Sequence, residues 1–267
     1  MDVILLGTGA ADGWPNAFCR CGSCGALRGR GELHSPTSAL VDGRLLLDAG
    51  PAVEANAQRF GADLTAVTAV LVTHAHSDHL APAFLLHRSW TDAGPLQVIG
   101  PEPVIDRCAH WLAPDQTTVE LTTVSAGDRF TVEGYTVTVL PAEHHAFGEA
   151  VLYRIDDGRH RVLYATDTGP WPARTLDLLQ GVPLDLVLLE ETFGDRDRID
   201  GHHDLASFAV AVRALADVGA VHARTEVVAV HLSHFNPADT LAERLGAVGA
   251  HPGRDGDVIR LGPRAAG

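Results

Sequence analysis

Residues 73–79 read Thr-His-Ala-His-Ser-Asp-His, directly after the largely apolar run Val67–Val72. Four metal-ligand side chains, His74, His76, Asp78 and His79, thus crowd into a short loop at a predicted strand end. A strand end opening into a loop can present such groups without burying loose backbone amides. Histidines at alternate positions, followed by Asp and His, cannot all face one ion, but they can serve two adjacent ones. More ligand types recur at the ends of other predicted strands. His144 follows Val137–Ala142, Asp167 follows Val162–Ala165, and His231 closes Val227–Val230. Ligands distant in sequence are therefore expected to meet at one sheet edge. The 15 histidines of the chain suit that reading, since imidazole is the commonest metal ligand.

A second cluster is Cys19, Cys21 and Cys24, which hold three of the four cysteines. That number is too small for a disulfide scaffold, and the C-x-C-x2-C spacing suits a tetrahedral zinc site lacking one ligand. Cys108 falls in a predicted helix and reads as a core thiol. With 267 residues and 46% hydrophobic composition, the chain can bury a sizeable core, which excludes intrinsic disorder. Short β-rich runs alternate with helical patterns, without a low-complexity linker or a repeat. One domain over 1–267 is expected, an α/β sandwich with two mixed β-sheets inside and helices outside. Hairpin turns are predicted at Asp42-Gly43 and Glu133-Gly134.

The net charge of −14 would repel phosphate backbones, so nucleic acid is not the expected partner. Neither a basic leader nor an apolar stretch of membrane-spanning length is present, so a cytoplasmic protein without a membrane partner is expected; a homodimer is compatible with the sequence.

The His74-x-His76-x-Asp78-His79 motif with His144, Asp167 and His231 resembles the metallo-β-lactamase superfamily, along nearly the whole chain. The resemblance implies that family's αβ/βα sandwich. It assigns His74, His76 and His144 to a first metal, and Asp78, His79 and His231 to a second. Asp167 bridges, and Asp78 also counts among the catalytic residues. His145 is the rival for the place of His144. An acid at Asp48 supports the ligand loop. His79 and Asp167 point to the hydrolase branch rather than to β-lactamases. The cysteine cluster resembles that of the phosphodiesterase of the carbon–phosphorus lyase pathway and of a related protein of pyrroloquinoline quinone biosynthesis. By that likeness His234 is the fourth ligand of a structural zinc. Glu190 and His202 map onto an acid–histidine pair that approaches the phosphate, with His203 as the rival of His202.

Together these features imply a binuclear metal-dependent hydrolase with zinc or manganese, iron being allowed. Its expected substrate is a small phosphodiester, cyclic ones included. The alternatives are transfer-RNA 3′ processing, thioester or lactone hydrolysis, and a non-hydrolytic accessory role in cofactor biosynthesis. Gly7-Thr8-Gly9 is expected to let the first loop pass close to the metals. Trp14, Phe18 and Trp171 are candidates for either the pocket or the core.

Overall fold

In the computed structural model, the described residues are 1–113, 118–146, 148–197 and 201–262. The strands run β1 (Asp2–Gly7), β2 (Ser38–Val41), β3 (Leu45–Leu47), β4 (Ala69–Leu71), β5 (Leu96–Gly100), β6 (Val119–Thr123), β7 (Arg129–Val132), β8 (Tyr135–Pro141), β9 (Val151–Asp156), β10 (Arg161–Ala165), β11 (Leu186–Glu190), β12 (Glu226–Val230), β13 (Ala250–Pro252) and β14 (Val258–Arg260). The helices are α1 (Gly22–Arg30), α2 (Val53–Phe60), α3 (Ala83–Ser89), α4 (Glu102–Ala109), α5 (Ala173–Leu179), α6 (Leu205–Asp217) and α7 (Leu241–Gly246).

Two seven-stranded mixed sheets result, ordered β14-β1-β2-β3-β4-β5-β6 and β13-β12-β11-β10-β9-β8-β7. Each sheet is antiparallel in its first part and parallel from β3 through β6, or from β10 through β13. A parallel step needs a crossover, and helices supply it: α2, α3 and α4 in one half, α5, α6 and α7 in the other.

Side-chain alternation distributes three apolar clusters. Val3, Leu5, Ala39, Val41, Leu45 and Leu47 point between the sheets, where they meet Val137, Val139, Tyr153, Leu186 and Val228. Their neighbours Leu6, Leu40 and Leu46 face outward onto α2, α3 and α4. In the second sheet Leu163, Val187, Leu189 and Val227 face outward onto the other helices. Strands buried on both faces read as continuous apolar runs, and the period of two decides which cluster each residue joins. Asp42-Gly43 and Glu133-Gly134 both have positive φ at both positions, as two-residue hairpin turns require.

Several details differ from the expectation. Helix α1 is not apparent in the apolar pattern, because its start is polar-capped: the Cys21 sulfur accepts the Cys24 N–H. The Gly-rich turn brings the first loop to the ligand-bearing end of the sheets, where Gly9 bridges Leu232 beside His231. A Cβ on Gly7 would lie 1.9 Å from the Pro36 carbonyl oxygen, and one on Gly9 2.4 Å from that of His34, so the glycines let the 34–36 segment close in. Trp14 is buried and stacked on His34, Trp171 packs on the outer core, and Phe18 is 99% exposed. Among the described residues, no helix is long and apolar enough to cross a membrane.

Candidate metal centre

The ligand-type side chains collect at the ends of strands from both sheets. His74, His76, Asp78 and His79 lie in the loop after β4, Asp48 follows β3, and Asp167 and His231 follow β10 and β12. Asp48, Asp167 and His231 all have φ near +50 to +57, a conformation uncommon for such residues. Sharp local turns aim their side chains back into one cavity, a strain that surrounding hydrogen bonds hold in place.

Two groups form. In the first, His76 Nδ1 lies 2.9 Å from His74 Nε2 and 3.1 Å from His144 Nε2, while Asp167 Oδ2 stands 3.4 and 3.7 Å from those two Nε2 atoms. In the second, Asp78 Oδ2 is 2.9 Å from His79 Nε2 and 3.4 Å from His231 Nε2; Asp167 Oδ1 is 3.2 and 3.1 Å from the same nitrogens. Asp167 therefore gives one oxygen to each group. Four ligands at about 2.0–2.1 Å from a tetrahedral ion lie about 3.3–3.4 Å apart, close to these separations.

The remaining ring nitrogens fix the tautomers. His79 Nδ1 donates to Asp48 Oδ2 at 2.7 Å, and His144 Nδ1 to the Gly201 carbonyl at 3.2 Å. His74 Nδ1 donates to Thr73 Oγ1, which donates to Asp48. His231 Nδ1 donates to Thr192 Oγ1, which donates to Glu190. Each Nε2 is thereby the ring atom turned toward the cavity. His79 Nε2 is fully buried and lacks a hydrogen-bond partner. Burial would lower this imidazole, but Asp167, Asp78 and Asp48 outweigh it and hold it well above its ordinary value, so the site favours positive charge at that nitrogen.

Charge supports the same fit. Burial lowers His76 and His144 to pKa about 4, so both are neutral near pH 7 and can donate lone pairs. Burial alone would raise Asp78, but His79 and His231 outweigh it and hold its carboxyl well below the usual range. Asp167 is likewise held as a carboxylate, by His231 and His79. Buried carboxylates among imidazoles call for positive charge, which cations supply. Asp48 anchors the wall: fully buried, it accepts the Thr73 N–H, the His79 ring and the Tyr164 hydroxyl at 2.8, 2.7 and 2.9 Å.

A third group joins Cys19, Cys21, Cys24 and His234, whose ligand atoms all lie within 4.8 Å of one another. His234 Nδ1 is 3.3 Å from the Cys19 sulfur and 3.7 Å from that of Cys21, while its Nε2 faces Asp12. Burial raises Cys21, but the Cys24 N–H and the His234, Cys19 and Cys24 side chains outweigh it and bring the thiol to about 6. Burial pushes Cys24 up to about 12. A zinc ion here would therefore displace protons on binding. The group ties α1 to the segment after β12, which Ser23 Oγ also reaches by donating to the Asn236 carbonyl.

Beside the first two groups His202 forms the cavity wall, its ring stacked on His231 at 5.4 Å and 6°. Its Nδ1 lies 3.5 Å from Glu190 Oε1, a charge contact rather than a directed hydrogen bond. Burial would lower its pKa, but Glu190 outweighs that and raises it to about 9. His203 instead turns toward Ser207 and Trp171, and His145 is 70% exposed beside Glu143, so neither rival reaches the cavity. Sequence reading missed Arg107 of α4, which also lines the cavity; an Arg in a helix C-terminal turn carries no motif. It missed too the relay hydroxyls Thr73 and Thr192.

A family model described as a beta-lactamase superfamily domain matches residues 43–241, about three quarters of the sequence. The chain belongs to the metallo-β-lactamase superfamily. Ribonuclease Z of Mycobacterium sp. (strain KMS) is 31% identical over 200 residues, covering 67% of this chain and 65% of the relative. The chain thus spans just under two thirds of the length of that relative. Among solved structures, Zn2+-bound PqqB from Methylobacterium extorquens aligns with TM-score 0.78 at 22% identity, over 98% of this chain and 100% of that one. A diphosphatase of the PhnP family aligns with TM-score 0.76 at 22% identity, over 97% and 96%. These likenesses establish the metallo-β-lactamase fold. With the family match, the His/Asp groups mark a candidate metal centre of this superfamily.

The third group joins α1 to the segment after β12, so its loss should be felt in stability. Cys21→Ser is expected to lower the melting temperature by about 10 °C, since metal binding here is folding energy. The folded fraction should keep most of its turnover. An unchanged melting temperature with lost turnover would place the thiols in the reaction centre instead.

Proposed function

We propose that this chain is a binuclear metal-dependent phosphodiesterase acting on small phosphodiesters, cyclic ones included. The observation that carries the reading is His202, stacked on His231 in the cavity wall and backed by the buried Glu190. An ester with an alkoxide leaving group needs such a proton donor, whereas a thiolate leaving group does not. When bound, a pair of divalent ions polarises phosphoryl oxygens and brings the pKa of water to about 7.

The protein's own residues do the rest. His74, His76, His144, Asp78, His79, Asp167 and His231 would hold the ions, and Asp48, Thr73 and Thr192 orient those side chains. Asp78 faces the cavity as a carboxylate and would hold the second ion there. Protonated His202 places positive charge beside the phosphate and gives its proton to the departing oxygen. Glu190 keeps that imidazole charged and aimed. Carboxylate and imidazole donors suit zinc, manganese and iron, while the Cys3His group selects zinc.

The similarity to ribonuclease Z supports a second reading, cleavage of RNA. Against it stands the −14 charge, which opposes a polyanion far more than a small diester. One assay set separates the readings. Protein of measured metal content should hydrolyse bis(p-nitrophenyl) phosphate with Mn2+ or Zn2+ added, and should leave phosphomonoesters, β-lactams and precursor transfer RNA largely intact. Trimming of precursor transfer RNA without turnover of the small diester would favour the second reading. Cleavage of thioesters or lactones alone would overturn both.

A further inference from the structure

The metal cavity, of about 340 Å3, does not end at the metal groups. It shares Ala11, Ser77, Asp78 and Arg107 with an adjoining cavity of about 620 Å3. The second space is floored by Leu80, Ala81 and Pro82 with the first residue of α3, Ala83, and flanked by Pro51 and by the end of α4. Arg107, His110 and Trp111 stand at i, i+3 and i+4 and so share one side of that helix end. Val104 and Cys108 of the same helix face the core and hold it in place. Donation from His110 Nδ1 to the Asp106 carbonyl at 2.6 Å fixes the imidazole, and Trp111 keeps 42% of its surface exposed.

This division of chemistry is informative. The inner space is lined mainly by imidazoles and carboxylates, the outer one, beyond the shared residues and His110, by Leu80, alanines, prolines and an indole. The imidazoles and carboxylates of the inner part suit a phosphate together with its ions. The outer volume lies within the range of spaces that hold small-molecule ligands, and its flat apolar surfaces suit a planar ring. Arg107 stands on the shared wall, where a guanidinium meets the phosphate of a ligand that spans both spaces.

We propose that the outer cavity is a subsite for a planar aromatic ester group of the substrate, with Trp111 as its stacking surface and Arg107 as the phosphate-positioning residue at the junction. The proposal rests on the phosphodiesterase reading and narrows it to phosphodiesters carrying an aryl group or a nucleobase on one side. An alkyl ester would occupy the inner cavity and leave the shelf unused.

Calorimetric titration of metal-loaded protein with phenyl phosphate, thymidine 5′-phosphate and methyl phosphate tests this directly. Both aromatic ligands should bind about tenfold more tightly than methyl phosphate, the low end of what ring stacking contributes. Trp111→Ala should abolish that advantage, Trp111→Phe should keep most of it, and Arg107→Gln should weaken all three. Circular dichroism checks that each variant is folded. A nucleoside preference would show as thymidine 5′-phosphate binding at least as tightly as phenyl phosphate, and an aryl preference as the reverse. Equal binding of methyl and aromatic phosphates, or an advantage that survives Trp111→Ala, would overturn the subsite. If diesters are hydrolysed in the same preparation, the phosphodiesterase reading stands without it. Failure of all three ligands to bind, with diesters untouched, would overturn both.

Discussion

Asp167→Ala is expected to abolish turnover, with a loss of about 10³-fold or more, and to release both ions of the His/Asp pair. The reason lies in the two ends of one carboxylate. Oδ2 stands against His74 and His144, and Oδ1 against His79 and His231, so a single truncation opens both groups. It also removes negative charge from a buried set of imidazoles, leaving the first group none and the second only Asp78 to offset a cation. Elemental analysis should find metal falling from about three equivalents per chain to about one, the remainder being zinc held by Cys19, Cys21, Cys24 and His234. Asp167→Asn keeps the shape and one acceptor oxygen, so it should fold with a melting temperature nearer the parent while still losing most turnover. If either variant kept two ions at the His/Asp pair and near-normal turnover, Asp167 would not be the bridge.

Much of this arrangement is legible along the chain, because the physics that places it is local. The apolar run Val67–Val72 reads as a buried strand, and the polar run after it has to leave the sheet at its edge. His144, Asp167 and His231 stand in the same relation to their own strands. The fold brings those edges together because the parallel strands all point their C-terminal ends one way, a consequence of the crossover helices rather than of any motif. The matching architecture of the two halves, antiparallel and then parallel, leaves no repeat in the sequence, since apolar residues of many kinds satisfy the same alternation.

What sequence reading missed has equally specific causes. Arg107 and Trp111 act from a helix end, where spacing gives the shared side but not the object it faces. Thr73 and Thr192 look like ordinary strand-end threonines until Asp48 and Glu190 are seen beneath them. Phe18 has the composition of a pocket residue, yet its loop holds the ring outward while the Asn16 side chain accepts its backbone N–H. The role of Gly7 and Gly9 depends on the 34–36 segment, a neighbour set by tertiary packing.

His202→Ala should lower kcat by about 10²–10⁴-fold, the usual contribution of a positioned proton donor, without emptying the metal groups. The ring lies outside both four-atom groups, and it packs on His231 and His144 as a neighbour. The effect should also carry a pH signature. Glu190 lifts the His202 pKa to about 9 against the opposing effect of burial, so the ring is protonated at neutral pH. Turnover that needs this proton is complete well below that value and falls as pH rises through it. Bound divalent ions add positive charge nearby and draw the value down, so the alkaline limb of kcat should lie at or below about pH 9. Glu190→Gln removes the charge that lifts the pKa and should move that limb further toward neutrality. Loss of His202 should erase the limb altogether and leave the metal content at its parental level. A slower His202→Ala enzyme with the alkaline limb still in place would assign that titration to another group, and a drop in bound metal would make His202 a ligand rather than the proton donor.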